Sequence, residues 1–437
     1  MFCQLEVLRY CFPPSVRRTL EELPESLDET YERILREIRK PNQEHAHRLL
    51  QCLVAAARPF RVEELAEILA FDFDAESQGA PKLNPSWRWE DQEEAVMSAC
   101  SSLVIIVKDG DSRIVQFSHF SVKEYLTSHR LAESGRDVSR YHVLLEPAHT
   151  ILAQACLGVL LRLDDRIDCD KIKQFPLAGY AAEHWVEHAK YENVASRIKD
   201  GMECLFDADK PHFAAWLWVY DEERDPNPST TINPQKPSAV PLYYAASFGF
   251  HDLTAQLLVE HPEDVHTKGG FEVTSLHASA SRGHTDVVSL LIEHFPDVDI
   301  RGSLEQTALH RASCGGHVEI GRLLLSHGSD INAKDKDGWT PLHGVANLHG
   351  VANLCRLEFC RMLLEHKAAI NIPRDDGETP LHAASRNGHT EGVRLLLEHG
   401  ADPHARDWND QTPSDTFPTA KQEIKQLLSE YASNSVK

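Results

Sequence analysis

Residues Asp376–Asp402 read DGETPLHAASRNGHTEGVRLLLEHGAD, and nearly every position in that stretch has a local structural role. Asp376-Gly377 is a tight-turn dipeptide. Thr379 suits a helix N-cap, and Pro380 the first helical position, where its missing N–H costs nothing. Leu381 and the small pair Ala383-Ala384 give one helix a face on which a neighbour can pack closely, and Gly388 ends that helix in a left-handed conformation. Val393, Leu396 and Leu397 form the apolar stripe of a second helix, stopped by Gly400. One such helix pair cannot bury its own stripe, so stacking must supply the core.

Related segments supply the stack. VPLYYAA (from Val240), TSLHASA (Thr274), TALHRAS (Thr307), TPLHGVA (Thr340), TPLHAAS (Thr379) and TPSDTFP (Thr412) begin 34, 33, 33, 39 and 33 residues apart. Motif and period resemble the ankyrin repeat, a β-turn followed by two helices. The register gives units at 238–271, 272–304, 305–337, 338–376 and 377–409 and a partial cap at 410–437. The structural motif is carried by Thr340, Pro341, Leu342 and His343, by Thr379, Pro380, Leu381 and His382, and by Gly388 and Gly400. The end units depart from it: the first has Val240 and Tyr243 in place of Thr and His, and the last has Ser414-Asp415 in place of Leu-His.

The resemblance implies binding of folded proteins through hairpin tips and the first-helix face. In this register the tips hold Lys336, Asp337, Trp339, Asp375, Asp376, Glu378, Trp408 and Asn409. Trp339 and Trp408 are the expected anchors, since aromatic residues dominate interface energetics. The competing expectation is that both rings pack on neighbouring loops.

The 39-residue spacing comes from a tandem duplication, GVANLH (Gly344–His349) followed by GVANLC (Gly350–Cys355). Six residues added to a straight helix would turn it about 240° beyond a full turn and carry later side chains off the core face. The expectation is a lengthened first helix or a bulge at the helix–helix turn. Cys355 stands where neighbouring units have the helix-ending Gly, so that turn should be remodelled.

The N-terminal half has a different pattern. SLDETYERILREI opens with a capping box, Ser26 with Glu29. Helices are expected over 42–57, over FRVEELAEILAFDF from Phe60, over DQEEAVMSAC from Asp91 and over FSVKEYLTS from Phe120, with a hairpin in SLVIIVKDGDSRIVQF around Asp109-Gly110. Helices plus a hairpin wing make a winged-helix-like domain over 25–130, after an N-terminal remnant over 1–24. A helical domain follows over 131–220, with 148–163 apolar nearly all round, and then a Pro-rich linker over 221–237. The fold class is therefore mainly α, a winged-helix-like and helical half followed by an ankyrin-repeat α-solenoid.

CQLEVLRYCFPPSVRRTLEELPESLDETYERIL, ACSSLVII, FSHFSVKEYL and YAAEHWVEHA resemble the segment after the nucleotide-binding domain of fungal NACHT-type signalling NTPases. In that family an effector and the NTPase precede this segment and a repeat sensor follows it. G-x-x-x-x-G-K-[ST] does not occur, and no Gly in the sequence precedes a Lys. The phosphate-cradling loop is therefore missing, and no nucleotide hydrolysis or cofactor is expected. The implied role is a non-catalytic interaction module, the scaffold or sensor half of such a protein. The alternative is a trans-acting regulator or fragment of an intact NACHT NTPase.

Composition narrows the remaining classes. The net charge of −22 is spread evenly, with 28 basic and 40 acidic residues in 1–237 against 17 and 27 in 238–437. Residues 41–128 hold 8 basic against 14 acidic residues, and the helix read as the nucleic-acid reader carries Glu63, Glu64 and Glu67. Phosphate contact needs cations there, so no nucleic-acid partner is expected. The longest apolar run, Ile151–Leu161, is too short for a bilayer and no signal peptide is recognisable, so a cytoplasmic protein without a membrane or small-molecule partner is expected. The ten cysteines lack any C-x-x-C pair and suit reduced thiols. Of 25 histidines, thirteen fall at three recurring repeat positions, which accounts for much of an excess that otherwise suggests metal. His184-Trp185-Val186-Glu187-His188 formally matches the H-x-x-E-H zinc-peptidase pattern, a remote hydrolase alternative through His184, Glu187 and His188. No metal site is expected.

Overall fold

The computed structural model describes residues 27–77, 79–100, 102–110, 112–168, 170–222, 240–269, 273–347, 354–416 and 422–434. It forms two compact units, 1–237 and 238–437. Ser26, the expected cap of the first helix, and nearly all of the Pro-rich linker lie outside the described residues.

The first unit begins with helix α1 (Leu27–Glu37), α2 (Gln43–Ala55), the short strand β1 (Phe60–Arg61) and α3 (Val62–Ile68). After an inserted hairpin, β2 (Phe71–Ser77) and β3 (Ala80–Leu83), come α4 (Gln92–Cys100), β4 (Val104–Asp109), β5 (Ser112–Phe117) and α5 (Phe120–Leu126). β5 lies between β1 and β4 in an antiparallel sheet, Phe60 facing Val115 and Val104 facing Phe117. A helix, a strand, two helices and a hairpin whose last strand pairs back with the first strand are the parts of a winged helix.

Two local expectations are corrected here. The stretch from Phe60 is not one helix. Its helical period stops at Ile68, and Phe71-Asp72-Phe73-Asp74 alternates with a period of two, which belongs to a strand. The helix directly before the wing is α4, not α3. Glu64 and Glu67 of α3 are 1% and 3% exposed and face inward. Glu64 accepts two bonds from Arg58 (2.8 and 2.7 Å) and one from the Arg61 N–H (2.7 Å). Glu67 pairs with Arg88 and accepts the Leu177 N–H at 2.7 Å. The outward acids are Glu93 and Glu94 of α4, with Glu93 paired to Arg113 of the wing.

The rest of this unit surrounds α6 (Leu145–Leu160), whose core residues from Ala148 to Leu160 are buried on most sides. It packs on α2, on β3 and on α7 (Ala178–Ala189). Trp185 of α7 meets Trp216 edge-on, with ring centroids 5.4 Å apart, and Trp216 donates its indole N–H to the Ala182 carbonyl at 3.1 Å. Trp216 lies on α8 (His212–Glu222). Between α7 and α8 lie two short helices, Val194–Arg197 and Lys199–Leu205, that meet at Ile198.

Among its described residues the second unit has five helix pairs and a closing helix. They are α9 (Pro241–Phe248) with α10 (His251–Glu260), α11 (Ser275–Arg282) with α12 (Thr285–His294), and α13 (Ala308–Gly315) with α14 (Val318–Ser326). Then come α15 (Pro341–Asn347) with α16 (Leu354–Glu365), α17 (Pro380–Arg386) with α18 (Thr390–Glu398), and α19 (Gln422–Asn434). First helices stack on first helices and second on second. The duplication runs through residues 348–353, outside the described part. α15 is described as far as Asn347. α16 has 12 residues against nine in α14 and α18, and Cys355 lies inside it, exposed. The expected lengthened first helix or bulge at the helix–helix turn falls on residues 348–353 and so lies outside the described part.

Candidate protein-binding surface

The tips begin with one turn that recurs along the stack, at 302–306 and in the three tips that follow. Asp335 N–H bonds the Trp339 carbonyl (2.8 Å) and Gly338 N–H the Asp335 carbonyl (3.0 Å). Arg374, Gly377 and Glu378 repeat this pattern, as do Asp407, Asp410 and Gln411. Asp335 Oδ1 accepts the Asp337 and Trp339 N–H groups at 3.0 and 2.9 Å, and Asp407 does the same for Asn409 and Gln411 at 2.9 and 2.8 Å. A side chain that caps its own turn in this way fixes the tip without outside help. Gly338 and Gly377 take φ of 77° and 87°, and a Cβ on Gly377 would come within 2.8 Å of Trp408.

Successive tips are joined through the backbone. Lys336 N–H bonds the Leu304 carbonyl (2.9 Å), Asp375 N–H that of Asp337 (3.3 Å), and Trp408 N–H that of Asp376 (2.9 Å). Below this ladder runs a second one, made by the histidine of each T-P-L-H variant. In three of them Nδ1 accepts the N–H of the Thr three residues earlier, at 3.2 Å for His310, His343 and His382. With Nδ1 an acceptor, the proton is on Nε2, which donates to the carbonyl of the residue before the next unit's Thr. His277 reaches Gln306 (2.9 Å), His310 Trp339 (3.0 Å), His343 Glu378 (3.2 Å) and His382 Gln411 (3.1 Å). Burial lowers the pKa of His310 and takes those of His277 and His343 down to about 4, which keeps these three rings neutral.

The end units keep what they can use. Tyr243 replaces the first histidine, and its ring packs where Gly269 has no side chain. Asp415 replaces the last one: Oδ2 accepts the Thr412 N–H (3.0 Å) and hydroxyl (2.6 Å), and those bonds lower its pKa. The capping half of the role survives, and the forward link is dropped where the motif ends.

The other repeated histidines have local partners too. His284 and His317 donate back to the Ser247 and Ser281 carbonyls of the preceding unit (3.0 and 3.1 Å). His294, His327, His366 and His399 bond the carbonyl one turn back, at 2.8–2.9 Å, and so cap their helices.

The eight expected contact residues separate on this frame. Lys336, Asp337, Asp375, Trp408 and Asn409 are exposed, and Trp408 is 79% exposed. Asp376 is half-buried and paired with Arg374. Glu378 is not a surface contact. It is 6% exposed and held by Arg374 (2.9 Å) and Arg386. Trp339 is half-buried, with the Arg374 guanidinium 4.9 Å from its ring centroid and His343 edge-on at 6.0 Å. Its ring packs on the neighbouring tip, whereas Trp408 touches the preceding tip only with the indole edge beside Gly377 and leaves the rest of its ring exposed. Leu304 was not legible as a tip residue. It occupies the position of Asp337 one unit earlier, 44% exposed at φ 60°, and a left-handed leucine is a strained residue presented to solvent. An apolar residue at a tip position occupied elsewhere by Asp was the only signal.

The zinc-like motif does not assemble. His188 is fully buried, with Nε2 2.8 Å from the Tyr180 hydroxyl and Nδ1 2.9 Å from His149 Nδ1. Both ring nitrogens are engaged, and burial pushes its pKa down to about 3. Glu187 points to solvent, with 66% of its side chain exposed. Among the described residues no group of three His, Cys, Asp or Glu side chains could hold a metal ion. Cys52, Cys100 and Cys360 are buried thiols pushed up to about 12.

Residues 242–335 and 330–407 match the ankyrin-repeat family (three copies), and residues 31–136 match the winged helix domain of GPI inositol-deacylase. The chain carries a winged helix followed by ankyrin repeats. Over 288 residues it is 32% identical to the azaphilone pigments biosynthesis cluster protein L of Monascus ruber, an alignment covering 62% of this chain and 59% of that protein. The chain thus spans less than two thirds of its relative's length. Among the described residues no helix is long and apolar enough to cross a membrane.

Proposed function

We propose that this chain is a non-catalytic protein–protein interaction module that binds its partner along the tips of the ankyrin stack. The observation that carries the reading is Trp408. Its backbone is bonded to Asp376 while its indole remains 79% exposed at the end of the tip ladder. An aromatic ring fixed at its base and free at its face is what interface anchors offer, because little order must be gained on binding. Leu304 gives a second apolar contact, with Lys336, Asp337 and Asp375 as the polar surround. Ankyrin repeats in general bind proteins, which supports the class of partner but not its identity. The test is recovery of partners by wild type and by Trp408→Ala at equal melting temperature. Equal recovery of every partner removes this binding face.

A second reading is a trans-acting regulator or fragment of an intact NACHT-type NTPase in fungal innate-immunity-like signalling. It is supported by the order of winged helix, helical layer and repeats, and by the NACHT-like stretches around Leu23–Leu35 and Tyr180–Ala189. An in-frame Walker A sequence upstream at the genomic locus would make the chain part of such an NTPase. A stop codon directly upstream would leave only action in trans.

A further inference from the structure

The inserted hairpin β2–β3 adds a feature outside the three-stranded winged-helix sheet. Beside it lies a cleft of about 600 Å³ walled by Phe73, Trp87 and Trp89, with Leu69 and Phe71 among its lining. Trp87 and Trp89 are 45% and 48% exposed. Their positions are fixed from below. Asn84 Oδ1 accepts the Ser86 N–H (3.1 Å) and hydroxyl (2.7 Å), holding the turn Pro85–Trp87. Arg88 is extended and tied by its guanidinium to Glu67 and to the Gln174 carbonyl (2.9 Å). Its two neighbours, both indoles, line the cleft.

The charge in the cleft is one-sided once the existing pairs are set aside. Arg48 lies 4.4 Å from the Phe73 ring centroid and bonds Glu44 at 2.8 Å, and Arg88 is held by Glu67. Both cations are therefore committed. Asp72 and Asp74 remain, Asp74 exposed; Lys82 stands opposite Asp72 across the hairpin but outside the cleft lining, and no salt bridge among the described residues neutralises either aspartate. Flat aromatic walls with unneutralised carboxylates suit one kind of ligand well. A polyproline II strand is preformed, presents its rings to aromatic grooves and loses little entropy on docking, and a Lys or Arg on it would meet the aspartates.

We infer that the Phe73–Trp87–Trp89 cleft binds a proline-rich segment bearing Lys or Arg, supplied by a partner protein. This site lies in the first unit and does not depend on the tip surface, so either can fail alone. The full chain is titrated into fluorescein-labelled PPPKPPKPPP and followed by anisotropy. Saturable binding is expected, weakened about tenfold or more by Trp87→Ala or Trp89→Ala. Asp72→Asn with Asp74→Asn should weaken it and flatten its salt dependence. Trp408→Ala should leave it unchanged. Both indoles are half-exposed, so the variants should melt with wild type, and a variant that does not is replaced by Trp→Phe. No binding at millimolar peptide, equal binding by the Trp→Ala variants, or equal binding of AAAKAAKAAA or PPPEPPEPPP would each overturn the inference.

Discussion

His343 donates from Nε2 to the Glu378 carbonyl at 3.2 Å across 35 residues, where His277, His310 and His382 make the same bond across 29. The six extra residues of the duplication are thus excluded from the ladder that joins the units. α16 still packs on α14 before it and α18 after it. Deleting Gly344–His349 should leave the melting temperature unchanged or raise it, because the second copy can take the place of the first and the ladder then closes over six fewer residues. A large fall would mean that the second copy packs on the stack.

The histidine ladder makes stability depend on pH. His277 and His343 titrate at about 4 in the folded chain against 6.5 when free. The unfolded chain therefore binds more protons between those values, and stability is complete above about pH 6.5 and declines as the pH falls towards 4. Each ring accounts for up to roughly 3 kcal/mol of that loss. Thermal melts of the full chain from pH 7.5 to 4.5 should show the decline. His277→Asn with His343→Asn should lower stability at pH 7 and flatten the slope, and an unchanged slope would place the acid sensitivity elsewhere.

Glu378 and Trp408 should behave oppositely. Glu378→Ala leaves Arg374 and Arg386 without their buried carboxylate, and a loss of about 3 kcal/mol in denaturant unfolding is expected. Trp408→Ala removes an exposed side chain and should change stability by less than about 0.5 kcal/mol.

The H-x-x-E-H stretch should not hold zinc. Dialysis against zinc followed by metal analysis should give no stoichiometric metal. One equivalent lost in His188→Ala would contradict the engaged state of both His188 nitrogens.

Much of the fold was legible in the sequence because the repeat states it several times over. Thr379, Pro380, His382 and Gly388 carry cap, first turn, link and stop within ten residues. Phe71–Ser77 was not, because four residues of period-two alternation follow directly on a helix and a short apolar run fits either element. At the binding surface, sequence register located the tips but not which side chains face out. Trp339, directly before Thr340, and Trp408, four residues before Thr412, both fall within a tip along the chain. Only Trp339 has Arg374, from the next tip, lying over its ring. Glu378 was misread for the same reason: its partner Arg386 is eight residues away, around a helix start.

The central claim is that the tip surface around Trp408 binds a protein. Its most direct test is a quantitative affinity pull-down with wild type, Trp408→Ala and Leu304→Asp, each first shown to melt at the same temperature. The account predicts a partner recovered by wild type and lost or strongly reduced with both variants. Recovery of every partner at wild-type level by both variants would contradict it.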